Sequence, residues 1–164
     1  MERKIINKQN NSSRCVVCGD QNSFSLNTRF YEVENGELVA IFQTKDHHQS
    51  YPGRVHGGMA AAILDETIGR AICVQEPGTW AVTVELNMKY KRPLPTDAKL
   101  KAVARITRNT RKIFEGEGEI LLEDGAVAVS AWGKYMKLPV DQIADEEFMK
   151  NQWYRLEEED PEWV

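Results

Sequence analysis

Two stretches of the 164-residue chain hold side chains whose types and spacing could act together on a carbonyl: His56-Gly57-Gly58, and Asp65 within Ile63-Leu64-Asp65-Glu66. Residues 58–74 repeat apolar positions at helical intervals (Ala61, Leu64, Ile68, Ile72), so the His-Gly-Gly run opens a helix. A helix N-terminus presents unpaired N–H groups and partial positive charge, which suits an oxyanion or a polarised carbonyl. Gly57 and Gly58 keep that backbone open to a ligand. Asp65 follows Gly58 by seven residues, nearly two turns, and returns to the same face. Its helical neighbours Ala61, Ala62, Ile68 and Gly69 include no cation, whereas Glu66 has Arg70 four residues on as an ion-pair partner. Asp65 is therefore a candidate catalytic carboxylate, with a buried cap or bridge as its structural alternative.

Other reactive side chains are less organised. Cys15 and Cys18 make half of a zinc site, but no second cysteine pair exists. Zinc shared between two chains is a lesser possibility, and no metal is expected. Cys73 falls within the helix and reads as a packing residue. His47 and His48 lack metal-ligand spacing and read as polar loop residues. Arg108, Arg111 and Lys112 cluster at a turn and could hold an anionic group, against the ordinary alternative of a solvated strand edge.

The elements that must position these groups are mainly strands. Alternating residues mark strands at 24–33, 80–90, 98–107, 113–123 and 126–136, with Leu38–Phe42 apolar throughout. Asn35-Gly36 and Asp124-Gly125 are hairpin turns. Half-polar alternation favours antiparallel pairing. The order is β-β-α-β-β-β-β, an α+β chain with about six strands and one long helix. Three segments are expected: a lead-in with the Cys pair at 1–19, one domain at 20–139, and an acidic tail at 140–164, mostly a surface helix. Residues 141–164 carry nine Asp or Glu against two cations, leaving a net +3 on the other 140 residues. That is too little for a nucleic-acid stripe. No apolar run approaches a membrane span, the N-terminal residues lack a signal-peptide pattern, and three cysteines make no disulfide framework. The expectation is a cytoplasmic protein with neither nucleic-acid nor membrane partners.

The run His48-Gln49-Ser50-Tyr51-Pro52-Gly53-Arg54-Val55-His56-Gly57-Gly58, then Leu64-Asp65-Glu66 and Thr83-Val84-Glu85-Leu86-Asn87-Met88-Lys89-Tyr90, resembles the hotdog-fold acyl-CoA thioesterases of the PaaI-like group. The resemblance spans about residues 15 to 137 and includes the Cys15-Val16-Val17-Cys18-Gly19 lead-in. It implies a curved antiparallel sheet wrapped around a central helix. It implies Asp65 as general base or as nucleophile through an anhydride, and Gly57 as the N–H donor to the thioester carbonyl. His56 would support that donor and Thr83 would orient water. Gln49, Ser50 and Gly58 fall at the substrate, and Arg108, Arg111 and Lys112 would meet coenzyme A phosphates. Many relatives place Asn where Ser50 stands. The family site lies between two subunits, so a homodimer is implied, often paired into a tetramer. No cofactor is implied beyond coenzyme A within the substrate. The alternative is a non-catalytic acyl-thioester binding module of the same fold. Strict alternation sets Thr83 on the face opposite Val82 and Val84, so a bulge or the interface must turn it toward Asp65.

Overall fold

The computed structural model describes residues 2–164. Its largest element is a seven-stranded antiparallel sheet around one long helix. The strands are β1 (Ile5–Lys8), β3 (Arg29–Val33), β4 (Leu38–Gln43), β7 (Ala81–Tyr90), β8 (Lys99–Asn109), β9 (Ile113–Leu121) and β10 (Val127–Lys137). They lie in the order β1-β3-β4-β8-β9-β10-β7. Two short ladders complete the chain: β2 (Asn11–Ser12) with β11 (Trp153–Tyr154), and the hairpin of β5 (Gln49–Tyr51) with β6 (Arg54–Val55). Helix α1 (Gly57–Gln75) crosses the sheet, and the six-residue α2 (Glu146–Asn151) lies in the tail. This is the hotdog arrangement that the resemblance implies.

Local chemistry explains the hairpins. Gly36 and Gly125 adopt φ near +80°, the left-handed conformation that closes the Asn-Gly and Asp-Gly turns at little steric cost. Strand β4 has no wet face because it is central and both sides are covered. One side packs beneath α1 with Phe30, Phe42, Ile63, Leu64 and Ile68. The other joins Tyr31, Val33, Val39, Val103 and the C-terminal Val164. The helix sits low on β9 because Gly116 leaves room for it: a Cβ there would stand 2.8 Å from Ile68 Cγ2.

The observed boundaries correct three expectations. The sheet has seven strands rather than about six, because Ile5–Lys8, within the segment read as a lead-in, pairs with β3. The strand expected at 24–33 begins only at Arg29, and Phe24 is exposed. The tail is helical over only a few residues, then forms β11 and returns along β1, with Trp163 bridging Lys4. Long-range charge pairing explains that course. The Lys8 ammonium, almost wholly buried, meets Glu158 at 2.8 Å and Asp160 at 2.7 Å, and Arg29 also binds Glu158. A buried cation held by two carboxylates draws the acidic tail onto the sheet instead of leaving it solvated.

Candidate active site

Helix α1 presents Asp65 half-buried at mid-length, and two hydroxyls from neighbouring strands converge on it. The Thr83 hydroxyl donates to the carboxylate at 2.9 Å from Oδ1 and 3.1 Å from Oδ2. The Tyr135 hydroxyl lies 3.1 Å from both Oδ1 and the main-chain oxygen of Asp65. Burial pushes the Asp65 carboxyl above the ordinary carboxylate range, although both hydroxyl bonds pull the other way. Glu66 pairs through one carboxylate oxygen with Arg70, whose Nε lies 2.7 Å from it, as the four-residue spacing predicts.

A β-bulge brings Thr83 to this position. Along β7 and β10 the register pairs Lys134 with Glu85 but Tyr135 with Thr83, so Val84 is the extra residue. Beyond the bulge, Thr83 shares the inner face with Leu86 and Met88, while Val82 and Val84 turn outward at 39% and 52% exposure. Tyr135 was missed from the sequence. Its ring is buried and stacks on Phe114 with centroids 5.0 Å apart. The available signal was the inward phase Ala131-Gly133-Tyr135, in which two small residues precede a large polar-tipped one. Gly69 faces the same ring: a Cβ there would lie 3.1 Å from Tyr135 Cε1.

The helix start forms a second cluster. His56 caps α1, its Nδ1 accepting the Gly58 N–H at 2.8 Å. That bond occupies Gly58, and among the described residues the Gly57 N–H finds no acceptor in the chain. The Tyr90 hydroxyl donates to the Gly57 carbonyl at 2.7 Å and fixes this turn. Gln49 and Ser50 lie exposed on the adjoining β5–β6 hairpin, with the Gln49 amide donating to Asp46. His48 is buried rather than an ordinary loop residue. Its Nδ1 accepts the Lys45 N–H, its Nε2 meets the Phe24 carbonyl, and burial lowers its pKa.

The two clusters are not adjacent within one chain. Eight residues separate Gly57 from Asp65, which at helical rise is about 12 Å. Arg108 near the end of β8 and Arg111 and Lys112 on the β8–β9 turn sit exposed at the opposite end of α1, with Arg108 beside Glu115. Neighbouring Asn109 binds Glu76 at that end of the helix.

A cavity of about 570 Å³ runs along α1 from Asp65, Thr83 and Tyr135 to Trp80, Phe148 and Trp153. These three aromatic rings pack with centroids 4.9 to 5.9 Å apart. The far wall of the cavity therefore comes from the tail.

A carboxylate held by two hydroxyls in a cavity of mixed polar and aromatic lining, on the central helix of a hotdog fold, defines a hotdog domain with a candidate hydrolytic centre. Residues 52–129 match the family model described as the thioesterase superfamily. Mouse acyl-coenzyme A thioesterase THEM4 is 42% identical over 66 residues, covering 40% of this chain and 27% of the mouse protein. Human THEM5 is 30% identical over 69 residues, covering 42% of this chain and 27% of that protein. The chain thus spans about a quarter of the length of these curated relatives. Among solved structures, a phenylacetic acid degradation-related protein from Ralstonia eutropha JMP134 is 27% identical, with a TM-score of 0.61 over 68% of this chain and 85% of that one. The PaaI protein of E. coli shares the fold at 18% identity, with a TM-score of 0.63 over 70% and 81% of the two chains. The similarity to the thioesterase superfamily covers residues 52–129, just under half of the chain.

Proposed function

We propose that the protein hydrolyses acyl-CoA thioesters, with Asp65 at the centre of the chemistry. The observation that carries this reading is the Asp65 carboxylate on the cavity wall, fixed by Thr83 and Tyr135 and paired with no cation. The named acyl-coenzyme A thioesterases among the relatives support the substrate class.

In the proposed reaction, Asp65 removes a proton from water as its oxygen attacks the thioester carbonyl. The Thr83 hydroxyl gives its hydrogen to the carboxylate and can accept one from that water. The tetrahedral oxyanion needs an N–H donor already in place, and Gly57 offers an unused one. Collapse of the intermediate expels the coenzyme A thiolate, a good leaving group, which takes up the proton from Asp65, and leaves the carboxylic acid and the regenerated carboxylate. Attack by Asp65 itself through an anhydride uses the same groups, with water then cleaving the anhydride.

The separation of about 12 Å between Gly57 and Asp65 supports a site completed by a second subunit. Strand β7 is a sheet edge and exposes Val82 and Val84, which supports pairing there with another copy. In that assembly Asp65, Thr83 and Tyr135 of one protomer face Gly57 of its partner.

Thiol release from a panel of aryl-, short- and long-chain acyl-CoAs tests the reading, with Asp65→Asn measured in parallel. Turnover of at least one class, reduced on the order of a hundredfold in the variant, is the expected result. Saturable binding with no turnover would replace the enzyme by an acyl-thioester binding module.

A further inference from the structure

Next to Asp65 along α1, Glu66 meets two cysteines of the N-terminal turn. The sulfurs of Cys15 and Cys18 and a carboxylate oxygen of Glu66 all lie within 4.8 Å of one another. The main chain is already shaped around both sulfurs. The Val17 N–H donates to Cys15 Sγ at 3.3 Å and the Ser12 N–H donates to Cys18 Sγ at 3.4 Å. These N–H···S bonds hold both sulfurs in place at the turn. The Gly19 N–H closes the turn on the Cys15 carbonyl at 2.8 Å. A side chain at Gly19 could not be accommodated, because its Cβ would stand 2.5 Å from the Ser13 oxygen and 2.6 Å from that of Cys15.

Glu66 completes what the cysteine spacing leaves unfinished. Its Oε1 takes Arg70 Nε at 2.7 Å, which leaves Oε2 for a second partner. Arg70 is anchored independently of that bond. Its Nη1 donates to the Asn10 carbonyl at 2.7 Å, and its guanidinium lies over the Phe30 and Trp153 rings. Charge also balances. Two thiolates and a carboxylate carry −3, which a divalent cation and the Arg70 guanidinium cancel.

We propose that Cys15, Cys18 and Glu66 form a binding site for one zinc-class divalent cation per chain, tying the N-terminal turn to α1. A sulfur-rich set with one carboxylate suits zinc rather than magnesium or calcium. Sulfurs on a tetrahedral zinc lie about 3.8 Å apart, so small side-chain rotations close the present arrangement onto an ion. Cys15 and Glu66 line the same cavity as Asp65, so the fourth coordination position faces that cavity and takes water or an added ligand. The site is independent of the thioesterase reading, since its ligands include none of the groups assigned to hydrolysis.

The test uses the full chain, reduced with a phosphine, stripped by a chelator and titrated with zinc against a chromophoric chelator. Cobalt(II) serves as the spectroscopic probe. One zinc per chain is expected, together with a thiolate-to-cobalt charge-transfer band and a higher melting temperature with metal. Cys15→Ser and Glu66→Gln should each weaken binding by at least about tenfold, the scale for losing even a supporting group of a metal site. Cys73→Ser should bind as wild type does. If the cysteine variants fail to fold, the wild-type cobalt spectrum decides, because a band of that kind requires bound thiolate. Absence of stoichiometric zinc and of the band in the reduced wild type overturns the site. Wild-type affinity in Glu66→Gln overturns Glu66 as a ligand and with it the three-ligand site.

Discussion

Thr83 and Tyr135 stand directly opposite each other across the β7–β10 ladder, and their hydroxyls meet on the same Asp65 carboxylate. The pairing exists only because Val84 is bulged out; without the bulge, Thr83 would point to the outer face. Two donors fix the rotamer of Asp65, while burial holds its proton affinity above that of a solvated carboxylate. Losing either donor should therefore loosen the carboxylate more than it harms the fold. Tyr135→Phe keeps the ring stacked on Phe114 and removes one hydroxyl. A roughly tenfold fall in kcat with little change in melting temperature is expected, the scale of about 1.4 kcal/mol for a hydrogen bond to a charged group. Thr83→Ser should retain most of the turnover and Thr83→Val should lose it. Steady-state kinetics beside thermal melts checks all three, and full activity in both Tyr135→Phe and Thr83→Val would remove the two hydroxyls from the mechanism.

Gly133 holds the Tyr135 ring in place by having no side chain. A Cβ at Gly133 would sit 2.6 Å from Cε2 and from the hydroxyl oxygen of Tyr135. Gly133→Ala must swing the phenol off Asp65 or strain the strand. A loss of about 1–3 kcal/mol in stability is expected, the usual cost of overpacking. Turnover should fall at least as far as in Tyr135→Phe. Denaturant melts give the first number and thiol release the second. Unchanged values for both would show that the ring has another place to go.

Much of this arrangement is legible in the sequence, and the remainder depends on partners that no local pattern reveals. Helical spacing located α1 and Asp65, and the Asn-Gly and Asp-Gly turns located two hairpins, because those signals are local. Missing cations around Asp65 separated it from Glu66. Thr83 could not be placed, since the bulge is a property of how β7 registers on β10. Tyr135 reads as one more strand residue, because the room that Gly69 and Gly133 leave for its ring comes from another element and from its own strand's packing. Strand β1 and the course of the tail went unread for a shared reason: Lys8 meets Glu158 and Asp160 some 150 residues away. A run of acidic residues looks solvated until its cations are found. Glu66, matched to Arg70 by spacing, gave no hint that Cys15 and Cys18 lie beside it.

A site shared between subunits has a distinctive mixing behaviour. Gly57 is the first residue of α1, where proline fits a helix and lacks only the N–H. Gly57→Pro removes the proposed carbonyl donor and should keep the fold with a small shift of Tyr90, whose Cε1 would lie 3.3 Å from the added Cβ. Alone, it and Asp65→Asn should each have little activity. Unfolded, mixed in equal amounts and refolded together, they should regain about a quarter of wild-type turnover. Half the dimers are then mixed, and each mixed dimer has one intact composite site. No recovery, with mixed dimers demonstrated by mass, would place Gly57 and Asp65 in separate roles.

The tail latch should open at acid pH and on loss of its cation. Burial alone would raise the Glu158 pKa, but the Arg29 and Lys8 hydrogen bonds and charges outweigh it and hold the group below the ordinary glutamate range. A depressed folded-state pKa means that the latch contributes fully above the unfolded value of about 4.3, and that the contribution fades as pH falls through the folded value. Glu158 is partly exposed, so solvent screens the pairing and the rest of the fold should persist. Trp153 and Phe148 close the far wall of the cavity, so release of the tail opens that wall. Hydrogen exchange of peptides from residues 153–164 should be slow at pH 7 and accelerate below about pH 4.3, while α1 stays protected. Lys8→Met should bring the fast exchange up to neutral pH, because two carboxylates then face each other without their ammonium. Tail protection in Lys8→Met equal to wild type at pH 7 would assign the latch to the apolar contacts of Trp153 and Val164 instead.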